Sequence, residues 1–212
     1  MLYAENNGQR IGATPKARAI CPGCGEEVIA KCGEIVTWHW AHRVNDCDTW
    51  AEGETEWHFA WKRRFQNVEV TIRRDEEWHR ADAMTDSGWV VEFQHSAIST
   101  SDIAIREKFY RNMVWVFDAT KAREPVATWI GDYRFIEYRL NLYKEDHPRA
   151  DGNYVTFRWK HPRKSIVGAS KLVYLDLGDN WLLRLGKMYP DGICGGWGHL
   201  VSYQEFLEID AQ

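Results

Sequence analysis

The sequence predicts an α/β chain whose centre is a helix, a three-stranded meander, a second helix and a further strand, set behind a cysteine-rich knot and ahead of a β-rich extension. Three observations carry this. Four of the five cysteines, Cys21, Cys24, Cys32 and Cys47, fall in the first 47 residues. Between residues 50 and 117 the apolar pattern changes from helical spacing to strand spacing and back. Beyond Ala119 the apolar segments are short and separated by turn residues, as strands are.

At 212 residues the chain fits one domain with a small appendage better than two full domains. Residues 1–18 are polar and turn-rich and read as a first strand or arm. Residues 20–48 are too few to hold a hydrophobic core without a staple, which a bound metal would provide. From Trp50, the residues Glu54, Trp57, His58, Trp61 and Phe65 follow on one face at helical pitch, predicting a helix over 50–65. Strands are expected at 68–74, 79–85 and 89–95, the last two joined by Asp86-Ser87-Gly88. Ser99 begins a capped helix to 112, and the run MVWVF at 113–117 suits a strand covered on both faces. Later strands fall at 133–142, 154–160, 171–177 and 181–186, followed by a glycine-rich loop over 191–198 and a short helix at 203–209. The predicted division is an arm and knot at 1–48, a core at 49–120 and an extension at 121–212.

The formal net charge of -4 excludes no nucleic-acid function, because binding depends on where charge lies and a nuclease site itself needs carboxylates. No stretch approaches the roughly 18–20 apolar residues of a membrane span, and no basic segment followed by an apolar run opens the chain. A cytoplasmic location without a membrane partner is expected. In a reducing compartment the clustered cysteines read as metal ligands rather than disulfides. Cys21-Pro-Gly-Cys24 can present two thiolates to one cation, and the favoured zinc set is Cys21, Cys24, His42 and Cys47, with His39 or Cys32 as the alternative donors.

Glu92 and Gln94 are two apart on a predicted strand, so both project from one face about 6.6 Å apart. With Gly88 in the left-handed position of a three-residue loop, Asp82 falls opposite Glu92, roughly 4.5–5.5 Å away. Glu92 lies among Val90, Val91 and Phe93, where an unpaired charge costs several kcal/mol. A hard divalent cation such as Mg²⁺ or Mn²⁺, held by Asp82 and Glu92, would neutralise the pair and activate water for attack on a phosphodiester. Pairing to arginines such as Arg80 or Arg106 is the structural alternative.

The segments CPGCGEEV, KCG, HWAH, GETEWHFAWK, RADAM, VVEFQHSAIS, IREKFYR and VWVFDA, in this order over residues 18–120, resemble the CoiA-like competence nuclease family of the PD-(D/E)xK superfamily. The resemblance implies a restriction-endonuclease-like core and metal-dependent hydrolysis of single- or double-stranded DNA. By it, Asp82 takes the motif aspartate and Glu92 the second acidic position, while Gln94 stands where many members carry lysine. A neutral amide can hydrogen-bond water or phosphate but supplies no ammonium charge. Glu54, His58 and Lys62 match an E-x3-H-x3-K signature on the first helix. Glu54 would complete the metal site, His58 would serve as ligand, base or structural partner, and Lys62 would contact phosphate. Arg106 would approach Glu92 or a phosphate, and Tyr110 belongs to the core.

Basic residues interleave with aromatics at 61–64 and again at 157–164, where Lys160 is the expected DNA contact. Two further function classes remain. One is a catalytically silent nucleic-acid-binding protein acting in recombination, DNA uptake or phage replication. The other is a zinc-stabilised protein-interaction domain.

Overall fold

The chain opens in a strand, the first of the two alternatives expected. Asn7 and Gly8, at φ +51° and +74°, form the tight turn between β1 (Tyr3–Asn6) and β2 (Gln9–Gly12), as an Asn-Gly pair is built to do. With β3 (Arg18–Ile20), β4 (Glu27–Lys31) and β5 (His39–Ala41) they make one antiparallel five-stranded sheet in the order β2-β1-β3-β4-β5. Its core is small: Ala4, Ala13, Ala19 and Val28 around Trp40, whose indole N–H donates to the Ile11 carbonyl at 3.1 Å.

This computed structural model describes residues 1–44, 47–51, 53–130, 133–144, 152–189 and 194–208. They fall into two units, Met1–Glu92 and Phe93–Gln212. The whole is mixed α/β and mostly sheet, and among the described residues no helix is long and apolar enough to cross a membrane.

The rest of the first unit is α1 (Glu56–Lys62) and a meander of β6 (Asn67–Arg74), β7 (Glu77–Met84) and β8 (Val90–Gln94). The helix is shorter than its aromatic spacing predicts. It starts at Thr55, whose side chain caps it, while Trp50 lies outside and stacks on His79 with ring centroids 3.2 Å apart. The turn before it is held by Asp48, which accepts from the Trp50 N–H at 2.9 Å. The β7–β8 loop is the one expected: the Thr85 N–H donates to the Trp89 carbonyl at 2.9 Å, and Gly88 sits at φ +86°.

In the second unit, α2 (Thr100–Tyr110) is capped by Ser99, and every residue of β9 (Met113–Asp118) is buried. A hairpin follows, β10 (Pro125–Ile130) with β11 (Tyr133–Tyr138). Five further strands are β12 (Leu140–Lys144), β13 (Tyr154–Trp159), β14 (Leu172–Gly178), β15 (Trp181–Met188) and β16 (Cys194–Ser202), and α3 (Tyr203–Leu207) follows. Within this unit the order is β12-β13-β16-β15-β14-β9, antiparallel except for β14 with β9. Glu107 of α2 is a buried carboxylate whose oxygens accept from the Trp115 indole and from the Ser170 and Lys171 N–H groups at 3.0–3.1 Å.

The glycine-rich segment predicted as a loop is instead the strand β16 from Cys194 onward, residues 191–193 lying outside the described set. Its glycines allow strands to close on one another. A Cβ on Gly196 would fall 2.2 Å from the Lys187 carbonyl oxygen and 2.5 Å from the Phe157 ring. Gly196→Ala is therefore expected to destabilise the protein by about 2 kcal/mol or more, seen as a lowered Tm, whereas Gly12→Ala, which meets nothing within 4 Å, should leave it nearly unchanged.

Candidate functional site

Cys21 follows β3 directly and opens the turn to Cys24. Within it the Gly25 N–H donates to the Cys21 carbonyl at 2.9 Å, and the Glu26 N–H points at Cys24 Sγ, 3.5 Å away. Gly23 lets this turn settle onto the meander, since a Cβ there would meet the Trp78 ring at 2.4 Å. Arg73 donates to the Gly23 carbonyl at 3.0 Å. His42 and Cys47 arrive from beyond β5.

The distances test the donor set. Cys21 Sγ and Cys47 Sγ are 3.6 Å apart, Cys24 Sγ and His42 Nε2 are 3.4 Å apart, and all four ligand atoms lie within 4.8 Å of one another. Tetrahedral zinc with Zn–S bonds near 2.3 Å separates its sulfurs by about 3.8 Å. The four residues fit it. Burial and the adjoining Cys24 and Cys21 groups push the Cys47 thiol up, and a bound cation reverses that by favouring thiolate. The alternative donors are engaged elsewhere. His39 Nδ1 bonds the Thr37 carbonyl at 2.9 Å, and Cys32 packs against the apolar cluster.

The second cluster forms across α1 and the meander. Ala83 faces Val91 and Met84 faces Val90, a register that sets Asp82 beside Glu92, and the Asp82 N–H donates to Glu92 Oε1 at 3.2 Å. Glu92 is 4% exposed. From α1 the Lys62 ammonium reaches Asp82 Oδ1 at 3.0 Å, Glu69 Oε1 at 3.3 Å and also Glu54 Oε1. Its residue is 2% exposed. Lys62, expected at a phosphate, is thus enclosed by three carboxylates.

Burial alone would lower the Lys62 pKa. Asp82, Glu54 and Glu69 outweigh it and hold the ammonium well above the ordinary lysine range. Burial would likewise raise Glu54, yet the charges of Lys62 and the Met1 amino group hold that carboxyl below its ordinary range. His58 caps the helix, the structural role among those expected of it. Its Nδ1 accepts from the Thr55 N–H at 3.2 Å while the Thr55 side chain accepts from the His58 N–H, closing a capping box at the helix start.

Gln94 closes β8 with its side-chain amide donating to the Ser96 carbonyl and hydroxyl, both at 3.2 Å. Arg106 is buried on α2, as is Tyr110. Lys160 is exposed and pairs with Glu137 at 3.2 Å. Arg163, in the same basic stretch, donates to the backbone carbonyls of Gln94, His95 and Ser96. It serves the chain's own loop.

Two residues escaped the sequence reading. Glu69 accepts from the Leu2 and Tyr3 N–H groups at 2.7 and 3.1 Å as well as from Lys62, and stands at φ +53°, an unusual angle for a glutamate. A charged residue between Val68 and Val70 was the available signal, the same one that singled out Glu92. Asp48 binds His79 Nδ1 at 2.8 Å and the Arg80 N–H at 2.7 Å, tying the residue after Cys47 to β7. It carried no such signal.

Residues 6–49 match the family model of competence protein CoiA, N-terminal domain. The front of the chain is CoiA-like. This CoiA-like segment contains all four residues of the cysteine and histidine cluster. No curated protein and no solved structure matches the chain.

One zinc per chain is expected by elemental analysis, lost in Cys24→Ala and Cys47→Ala but retained in Cys32→Ser and His39→Ala. Retention in the first pair would remove the site. The ion cluster sets a pH dependence whose sign follows from the shifts. Glu54 is depressed, so its contribution is full above the ordinary value of 4.5 and is lost as pH falls toward the depressed one. Lys62 is raised, so its contribution is full below 10.5 and is lost only above that. Lys62→Met should cost about 3–5 kcal/mol at neutral pH, by leaving three carboxylates facing one another, with the deficit shrinking in denaturant titrations below pH 4.5.

Proposed function

We propose that the chain is a metal-dependent nuclease hydrolysing DNA phosphodiester bonds, with Asp82 and Glu92 as the carboxylates that hold Mg²⁺ or Mn²⁺. The observation that carries this reading is the β7–β8 register, which sets the two side chains side by side at the edge of a cluster with Glu54 and Glu69. The donors are hard carboxylate oxygens, the ligand type that a hard divalent cation takes, and Lys62 and the Met1 amino group are the cations already among them. Such an ion, when bound, lowers the pKa of water and stabilises charge on the phosphoryl oxygens.

The order α1, β6–β7–β8, α2, β9 accords with a restriction-endonuclease-like core and supports placing the chain in the PD-(D/E)xK superfamily. In that reading the lysine missing from position 94 has a counterpart on α1. Lys62 brings an ammonium to 3.0 Å from Asp82 Oδ1, holding positive charge behind the carboxylates that would take the cation. Gln94 orients the β8 end through Ser96. Similarity of residues 6–49 to a competence protein points to a role in DNA uptake.

A second reading, a silent nucleic-acid-binding relative, is favoured by the enclosure of Lys62. Cutting of a labelled oligonucleotide separates the two. The purified chain should cut with Mg²⁺ or Mn²⁺ and not with EDTA. Asp82→Ala and Glu92→Ala should each lose about 10³-fold or more in rate, the several kcal/mol a catalytic cation contributes. Full activity in both variants would move the chemistry elsewhere, and absence of cutting under any divalent metal would leave the silent reading standing.

A further inference from the structure

The strand pairings of the second unit arrange three rows of side chains on one face of its sheet. In the middle row Tyr143 of β12 lies opposite Thr156 of β13, which lies opposite Trp197 of β16, which faces Lys187 of β15. Two residues along in one direction the row is Asn141, Arg158 and Gly195. In the other it is Tyr154, His199 and Arg184. Directly paired residues, and residues two apart on a strand, share a face. The alternate positions Leu140, Val155, Phe157 and Trp159 are buried, so the other face carries the core.

The open face is aromatic and cationic. Tyr154 stacks on Trp197 with centroids 5.9 Å apart, and His199 meets the two rings edge-on at 5.7 and 6.1 Å. Trp197 lies against the backbone of β15, because a Cβ on Gly186 would fall 1.9 Å from its ring. Tyr143 is 47% exposed, and Arg158, Arg184 and Lys187 are exposed around these rings. No carboxylate occupies the three rows. The face continues past Asn141 and Arg158 into a groove of about 450 Å³ that adds Arg139, Lys160 and Tyr138, with Glu137 as its one acid.

We propose that this face binds single-stranded nucleic acid, with bases stacked on Tyr143 and Trp197 and phosphates held by Arg158, Arg184 and Lys187. A flat row of half-exposed rings offers stacking surface to unpaired bases. A duplex keeps its base faces covered, so it can use only the cations. The cations without acids favour a polyanion over a peptide of mixed charge. This site is independent of Asp82 and Glu92 and needs no metal.

The test uses the whole chain in EDTA, where no metal-dependent cutting occurs, so failure to bind and failure to cut are separate results. Fluorescence anisotropy is measured with labelled dT20, with rU20 and with a 20-base-pair duplex. Single strands should bind about ten-fold or more tighter than duplex. Tyr143→Ala, an exposed position that leaves the fold intact by circular dichroism, should weaken dT20 or rU20 binding about ten-fold, the range of one base stack. Arg158→Ala with Arg184→Ala should reduce the slope of log K against log salt by about 1.4, two phosphate contacts on a single strand. Tighter binding of dT20 or of rU20 tells which polymer the face takes, and either supports it. Equal affinity for duplex and single strand, unchanged binding in both variants, or no binding at low salt would overturn it.

Discussion

One ammonium group, Lys62 Nζ, organises the first unit. It joins the last residue of α1 to Glu69 on β6 and Asp82 on β7, and folds Glu54 back from the segment before the helix. Glu69 extends the link to the backbone of Leu2 and Tyr3 at the start of the N-terminal sheet. A seven-residue helix has little stability of its own, so its position rests on this cluster, its cap and the burial of Phe59 and Trp61. Burying charge is costly, and well-packed apolar residues in its place often stabilise as much or more.

The knot in front is held differently. Its apolar cluster is mostly small side chains around a single tryptophan, too little area for an independent core, and four soft and borderline donors converging within 4.8 Å are placed to supply the missing constraint through a metal. The knot is also keyed to the meander: Gly23 sits on Trp78, Arg73 binds its carbonyl, and Asp48 bonds His79 and the Arg80 N–H. A metal held by Cys21, Cys24, His42 and Cys47 would thereby bear on β7, the strand that carries Asp82.

What was legible in the sequence was local. Asp86-Ser87-Gly88 sets a loop length, the loop sets a register, and the register places Asp82 beside Glu92, so that pairing followed from three turn residues. The four candidate zinc donors were legible because a Cys-x-x-Cys turn leaves few choices for the other two. Trp50 was misread because helical spacing is blind to a ring that stacks on a distant strand, as Trp50 does on His79. The glycines of β16 were misread because a glycine-rich run looks the same whether the chain turns or strands press together. Glu69 and Asp48 act through contacts 7 to 67 residues away, beyond any local pattern. The face of β12, β13, β16 and β15 was legible only in the basic residues of the 157–164 stretch, since pairing across four strands decides which rings meet.

The placement of the lysine has a physical consequence. A lysine at position 94 would have been held by its own strand, whereas Lys62 depends on where α1 begins. The capping box of Thr55 and His58 fixes that beginning, and Lys62 lies four residues after His58, one helical turn along the same edge. His58 therefore bears on the cluster by setting the helix register rather than by presenting Nδ1, which the Thr55 N–H engages. A histidine whose spacing with Glu54 and Lys62 looks like a ligand ladder also caps its helix with its own side chain, aligning the ammonium that three carboxylates then hold.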